Sequence, residues 1–376
     1  MNILLIASSY HPYKGGVETV VSDLAKELSD VGDKVIVVTN LWPKSLPLLE
    51  VVAGVPVFRV PMVVLYEPSR TLVVRIKQSV TGVMLIIVVL LFRPAVINVQ
   101  CVGPNGHWGK WLGELFKIPI VVSTHGERTN DSSGFFKQEV NSIMFNNLIV
   151  ASKYVVCVSE ASAKESLTEK VGEDSKVRVI PNAITVTKQV QSGEVRDVDV
   201  VFVGRLVDEK GIDTLLKAIC ILRDNVPTIR VHIVGAGPIQ PLLSQLVSDL
   251  NLLNHVVFTG PLDQVAVRQE LKRSKILVLP SRRESFGLVI LEAANSGCAV
   301  VAARTGGIPS IIDDGINGML FDVDAVEQLA RHLHVLIVDE SIRSELILKF
   351  YERLPEYDVT KFVNAYRSVF SDAVKK

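Results

Sequence analysis

The chain has no excess of either charge: 40 lysines and arginines stand against 40 aspartates and glutamates. Without a basic field there is nothing to gather a phosphate backbone, so nucleic acid is not an expected partner. Cysteine is scarce. Cys101, Cys157, Cys220 and Cys298 are scattered, and no two stand in Cys-x-x-Cys spacing. That excludes a disulfide framework and a zinc-finger site, and it fits small core residues in a reducing compartment. Short-period repeats and low-complexity tracts are missing. The first apolar run, Met1 to Ile6, has no basic region before it and is expected to be a strand rather than a targeting signal. Long apolar runs are missing too. Val83–Phe92 falls short of the roughly 18 residues of a membrane span and is expected to be a buried helix. Arg70, Arg75 and Lys77 precede it and Arg93 follows. Trp108, Trp111, Leu112 and Leu115 then share one helical face, with Lys110 and Lys117 nearby. The alternative is that these segments contact a membrane surface.

What is present is a regular alternation of strand-like and helix-like segments over 376 residues. That length fits two moderate domains, and the alternation predicts α/β architecture with parallel sheets and helices on both faces. Strands are expected at Asn2–Ala7, Lys34–Thr39, Val55–Val60, Ala95–Gln100, Ile118–Ser123 and Tyr154–Ser159. A helix over Glu18–Val31 closes at Gly32. A polar, weakly patterned stretch from Asn182 to Asp197 then interrupts the pattern. It divides the chain into a first domain at 1–182, a linker at 183–198, a second domain at 199–354 and a closing segment at 355–376. In the second domain strands are expected at Asp199–Val203, Arg230–Val234, Val256–Phe258, Lys275–Leu279 and Ala299–Ala303. Val359–Val374 is amphipathic.

Chemistry-bearing residues gather where strands should end, which is where open α/β sheets bind ligands. Lys275–Leu279 leads into Pro280-Ser281-Arg282-Arg283-Glu284-Ser285-Phe286-Gly287-Leu288, and Glu292 follows. Eight helical steps would set the two carboxylates about 12 Å apart, a span suited to a long polar ligand. The plain alternative is that Glu284 favours a helix start and Glu292 is a solvated face residue. Gly204-Arg205-Leu206-Val207-Asp208-Glu209-Lys210-Gly211 puts two cations on one strand-to-helix loop, suited to a diphosphate. Its alternative is an Arg205 paired with Asp208 or Glu209. Gly15 and Gly16 precede a helix whose start offers free N–H groups; here the alternative is an ordinary turn with Glu18 at the helix start. His125 ends a strand. Arg304-Thr305-Gly306-Gly307-Ile308-Pro309 follows another, with Ser310 suited to cap a helix. Gly235-Ala236-Gly237-Pro238 begins like a dinucleotide fingerprint, but Gln240 stands where the third small residue belongs, so NAD is a weak reading. Asp322-Val323-Asp324 is expected to be loop and helix-start chemistry rather than a metal pair.

In this order, the motifs from Gly15 to Glu292 resemble those of glycosyltransferase family 4, the retaining nucleotide-sugar enzymes with two Rossmann-like domains. The resemblance covers nearly the whole chain, and Arg205, Lys210, Glu284 and Glu292 are its specific core. Ser310 and Ala183 depart from the residues common in the family, glutamate and glycine. The resemblance implies the glycosyltransferase B fold, with two domains facing across a cleft and the closing helix returning to the first. It implies transfer from a nucleotide diphosphate sugar to the hydroxyl of a saccharide or lipid-linked acceptor, with retained configuration and no required cofactor or metal. Arg205 and Lys210 would hold the diphosphate, with Gly204 on the same loop. Glu292 would bind ribose, Glu284 the donor sugar, and the amides of Phe286, Gly287 and Leu288 the phosphate or sugar. His125 would position the sugar, and Gly15 and Gly16 would form the opposing loop. A nucleotide-sugar 2-epimerase and a non-catalytic nucleotide-sugar sensor are the rival readings. A cytoplasmic location, at the inner face of the membrane, fits an envelope-polysaccharide role.

Overall fold

A computed structural model describes every residue except Lys14, 63–71, 128–133, 167–173, 188–195 and Lys376. Lys14, Arg70 and half of the expected linker therefore lie outside the described residues. The chain divides into two compact units, Met1–Asn182 with Val359–Lys376, and Ala183–Asp358.

Unit 1 opens with β1 (Asn2–Ala7), α1 (Gly16–Asp30), β2 (Lys34–Asn40), β3 (Leu49–Val52) and β4 (Val55–Val60). It continues with α2 (Leu72–Phe92), β5 (Val96–Gln100), α3 (Pro104–Phe116), β6 (Ile120–Thr124), α4 (Glu139–Ala151), β7 (Tyr154–Cys157), α5 (Glu160–Ser166) and β8 (Val177–Val179). Among the described residues these strands form one sheet in the order β3-β4-β2-β1-β5-β6-β7-β8. All neighbours are parallel except β3 and β4. The central strands are buried on both faces, so they read as unbroken apolar runs. α2, α3 and α4 supply Leu85, Val88, Trp108, Leu112, Phe145 and Leu148 to a single core with β1, β5 and β6.

Unit 2 runs β9 (Val198–Val203), α6 (Ile212–Arg223), β10 (Val231–Val234), α7 (Gln240–Asp249), β11 (Val256–Gly260), α8 (Gln264–Arg273) and β12 (Ser274–Leu279). α9 (Leu288–Asn295), β13 (Ala299–Ala303), β14 (Met319–Phe321), α10 (Val326–Val338) and α11 (Glu340–Arg353) complete it. Its strands are all parallel, in the order β11-β10-β9-β12-β13-β14. Part of the expected linker packs onto this unit: Ile184 bridges to Asp358, and Thr187 accepts and donates hydrogen bonds at Asn295 and Tyr351.

The last helix, α12 (Val359–Val374), belongs to unit 1. It buries Val363, Tyr366 and Phe370 there, and Arg367 pairs with Asp33 at 2.8 Å. Burying an apolar side chain of that size is worth about 1.5–3 kcal/mol, so the helix is a substantial part of the unit 1 core.

The expected strands are all present, within two residues at each end. β3, β8 and β14 were not expected. Each is a short edge or near-edge strand, where burial imposes little pattern. The larger correction concerns the run at Val83–Phe92. It is the second half of a much longer helix, α2, and it is not buried all round. Leu85, Val88 and Val89 face the core, while Val83, Ile87, Leu90 and Leu91 are exposed. The expected single face of α3 is also split: Trp108 and Leu112 are buried in the core and Leu115 is exposed.

Candidate active site

In both sheets the chain reverses its direction of travel beside the first strand. β9 is followed outward by β10 and β11 on one side, and β12 starts the other. The ends of β9 and β12 therefore flank the switch point, where such sheets bind ligands. The loops after these two strands carry the charged residues that the sequence singles out, and the structure joins them. Lys210 Nζ donates to Glu284 Oε2 at 2.6 Å. Ser281 Oγ lies 3.4 Å from the same oxygen. Glu284 is buried, so the ammonium supplies compensation that the carboxylate needs away from water.

Arg205 is exposed and makes no ion pair among the described residues. The alternative pairing with Asp208 or Glu209 does not occur. Asp208 turns instead to Arg282, whose guanidinium also grips Asp213 at 2.8 Å and Asp324 at 3.0 Å. Asp324 also accepts from Thr214 at 2.7 Å, so it braces the loop after β12 against α6. Against the opposing effect of burial, Lys217 and Arg282 together hold the Asp213 carboxyl below its usual pKa, and Arg282 holds that of Asp324.

Glycine lets these loops close on each other. A Cβ on Gly306 would sit 1.8 Å from the Glu284 carbonyl oxygen, and one on Gly211 2.1 Å from that of Pro280. Both residues also have positive φ, where a side chain is strained. The glycines of Gly235-Ala236-Gly237 serve the same end. Gly235 lies against the Gly204 carbonyl, and Leu206 N–H donates to Ala236 O at 3.0 Å. The dinucleotide-like pattern is thus a backbone-to-backbone seam between the loops after β9 and β10.

Two expectations of local geometry need correction. Glu284 is not helical, since α9 begins at Leu288. The 12 Å helical spacing to Glu292 therefore does not hold; only Glu292 is on the helix, in its second turn. Gly287, at φ 95, makes the sharp entry to α9, which leaves the amides of Phe286, Gly287 and Leu288 ahead of the first intrahelical bond. Phe286 itself is buried and meets Tyr357 edge to face at 6.2 Å. Ser310 does not cap a helix start. It ends a short 3-10 turn and donates to Gly307 O at 2.6 Å.

Unit 1 has its own switch point, between β1 and β5. His125, one residue beyond β6, is buried beside it. Its Nε2 lies 2.8 Å from Gln100 Oε1, while Gln100 Nε2 donates to Asn98 Oδ1 at 2.6 Å. The amide thus presents its oxygen to the ring, so Nε2 carries the hydrogen. Nδ1 is left as a buried acceptor with no partner among the described residues. Burial lowers the imidazole pKa to about 4, so His125 is neutral at physiological pH. Asn98 also donates to Ser123 Oγ at 2.9 Å, and Tyr366 of α12 donates to that hydroxyl at 3.2 Å. Glu127 accepts from the Val102 amide at 2.8 Å and the His125 amide at 3.0 Å, tying the ends of β5 and β6 together. Burial pushes its pKa up to about 7, with those backbone bonds opposing. Gly15 caps the start of α1 in extended backbone, and Glu18 in the first turn accepts from Ser9.

Comparison with known proteins fits this layout. The family model for group 1 glycosyl transferases matches residues 186–353, and that for Glycosyltransferase Family 4 matches residues 14–188. The chain belongs to glycosyltransferase family 4. It is 28% identical over 323 residues to a subunit of human phosphatidylinositol N-acetylglucosaminyltransferase, covering 84% of this chain and 64% of that protein. It is 27% identical to sulfoquinovosyl transferase SQD2 of Arabidopsis thaliana, covering 94% of this chain and 70% of the relative. Anabaena Alr3699/HepE, solved in complex with UDP, superposes with a TM-score of 0.78 at 21% identity, covering 99% of this chain and all of that one. The fold is the glycosyltransferase B fold.

Within this family 4 chain, several functional candidates carry no motif of their own. Asn98 and Gln100 are polar side chains two residues apart in an otherwise apolar strand, so they share a face. That break in the pattern is the signal for them. Glu127, Tyr366 and the Arg282 brace become visible only when distant segments meet.

Proposed function

We propose that the protein is a retaining glycosyltransferase that moves a sugar from a nucleotide diphosphate sugar to an acceptor hydroxyl. The observation that carries this reading is the Lys210–Glu284 pair at the unit 2 switch point, with an uncommitted Arg205 on the same loop. As the bond from the anomeric carbon to the phosphate oxygen breaks, negative charge collects on the diphosphate. Arg205 and Lys210 stabilise that charge, and the free amides at the entry to α9 add donors. The acceptor oxygen forms the new bond, and its proton leaves with the departing phosphate. Glu284, held by Lys210, accepts from donor-sugar hydroxyls, and Glu292 accepts from ribose. His125 Nδ1, an acceptor kept neutral, takes a hydrogen bond from a sugar hydroxyl. Gly204 brings the backbone of its loop close to the phosphates, and Gly15 and Gly16 leave the backbone at the start of α1 open to a ligand. With cations and helix amides in place, the chemistry needs neither a metal nor another cofactor.

UDP-sugars are the first donors to try, since a structural neighbour was solved with UDP and with UDP-glucose. A lipid-linked or saccharide acceptor on the cytoplasmic side of a membrane is the favoured class, since one relative is named for phosphatidylinositol. The test is nucleotide release by the purified protein with a panel of UDP-, GDP- and ADP-sugars, with and without acceptors, followed by the anomeric configuration of the product. Release that requires an acceptor, with configuration retained, supports the proposal. Release without any acceptor points to a 2-epimerase, and tight binding without turnover points to a sensor.

A further inference from the structure

The face of α2 turned away from the core is a feature that the proposed reaction leaves unused. Val73, Ile76, Val80, Val83, Ile87 and Leu90 recur every three or four residues along it and are each 47–58% exposed. They form a stripe about 26 Å long at 1.5 Å per residue. Leu91 widens it at 82% exposure, and Met84 and Ile86 flank it half-buried. A monomer in water rarely leaves so continuous an apolar strip uncovered.

Charge says what covers it. From Leu72 to Arg93 there is no aspartate or glutamate, while Arg75, Lys77 and Arg93 are exposed at the two ends. Beside the strip, half-buried Trp111 meets the core residue Trp108 edge to face at 5.6 Å, and both border a shallow groove of about 350 Å³ with Gly82, Val83 and Ile86. A partly exposed indole next to an apolar face with basic ends suits the boundary between headgroups and acyl chains.

We propose that α2 is an interfacial helix, lying along the surface of an anionic bilayer with its outer stripe among the acyl chains. α2 is long and apolar enough to cross a membrane by composition alone. Its inner face argues against crossing. Leu85, Val88 and Val89 belong to the unit 1 core, and Thr81 Oγ1 donates to Pro61 O at 2.7 Å. A crossing helix would have to leave those contacts. A partner helix fits less well than a bilayer. Helix pairs set their register with charged residues flanking the seam, and here the flanks are Ser79, Met84, Ile86 and Leu91 between the terminal basic residues. A bilayer needs no register.

The inference gives the lipid-acceptor part of the proposed function a means of reaching its substrate, and it rests on that reading only for its purpose. Binding is measured without donor, so the two can fail separately. The experiment is flotation of the purified full chain with phosphatidylcholine vesicles, with and without phosphatidylglycerol. Val83→Glu/Ile87→Glu and Arg75→Gln/Lys77→Gln/Arg93→Gln are run beside it, with thermal melts to show that these outward changes leave the fold intact. The parent should float with the anionic vesicles and be released by alkaline carbonate. The glutamate pair should weaken binding at least about tenfold, and each lost cation about fivefold. Failure of the parent to float, or undiminished flotation of the glutamate pair, overturns the proposal. So does resistance to carbonate, which means a crossing helix. A parent that is a dimer in solution and does not float, made monomeric by the glutamate pair, replaces the bilayer with a second copy of the chain.

Discussion

At the switch point of unit 2 the side chains that matter are charged: Lys210 on Glu284, Arg205 open to solvent, and Arg282 spread over three aspartates. At the switch point of unit 1 the corresponding layer is Asn98, Gln100, Ser123, Tyr366 and a neutral His125. One set can answer a concentrated anionic charge. The other offers directional acceptors and donors to hydroxyl groups from side chains that are themselves neutral. Two sheets of the same type, each with strand ends flanking a switch point, thus differ in their means of recognition. The topology supplies the location, and the loop residues supply the chemistry.

The sharpest break in that contrast comes from removing cations in unit 2. Arg205→Ala and Lys210→Ala should each lower kcat/KM by about 100-fold or more. Arg205→Ala should leave the melting temperature unchanged, because the side chain is exposed. Lys210→Ala should also lower it, because Glu284 loses its counter-charge. Steady-state kinetics beside thermal melts separates the two effects, and near-normal turnover in both variants would remove them from the phosphate site.

The next effect divides the carboxylates. Glu284→Gln should mainly lower kcat, since contacts to the reacting sugar can tighten as charge develops. Glu292→Gln should mainly raise KM, since ribose contacts are similar in ground and transition states. Finding kcat lowered only by Glu292→Gln would mean that the donor binds in the reverse sense.

Unit 1 holds a buried carboxyl, Glu127, that titrates near neutral pH. Glu127 is raised to about 7 in the folded protein, so the folded state holds its proton longer than the unfolded chain. Its contribution to stability is full below the ordinary glutamate range and is lost as pH rises through 7. His125, lowered to about 4, has the opposite sign: its contribution is lost as pH falls below the ordinary histidine range toward 4. Between pH 6 and 8 the melting temperature of the parent should therefore fall relative to that of Glu127→Gln, because lowered histidines such as His107 and His125 act alike in both proteins. A parallel course in both would remove Glu127 from the account. The smallest expected effect is none at all: turnover after thorough chelation should equal that of the untreated protein. Complete loss, restored by Mn²⁺ or Mg²⁺, would reassign the leaving-group chemistry from the cations of unit 2 to a metal.

The contrast also explains what the sequence could reveal. Doubly buried parallel strands have to be apolar along most of their length, so β1, β12 and β13 can be placed from pattern alone. A strand such as β14, three residues long beside Gly318, leaves no such pattern. The unit 2 loops were legible because charge beside glycine at a strand end is uncommon, and Lys210 and Glu284 prove to touch although 74 positions separate them. The geometry between Glu284 and Glu292 was not, because one glycine at positive φ delays the helix until Leu288. The outer face of α2 was misjudged for a related reason. Composition reports how apolar a helix is, and only packing reports how many of its sides are covered.

The return of α12 to unit 1 has a consequence for the order of events on the ribosome. A nascent chain that has emerged through Asp358 already contains all of unit 2, which is continuous in sequence. It contains every strand of unit 1 as well, but not the helix that brings Val363, Tyr366 and Phe370 to that unit. The hydroxyl that holds Ser123, and the guanidinium that meets Asp33, are translated after all of unit 2. Domains ordinarily mature in the order of synthesis. Here the half of the protein made first is the half completed last, and unit 2 can be finished while its predecessor still waits for a helix.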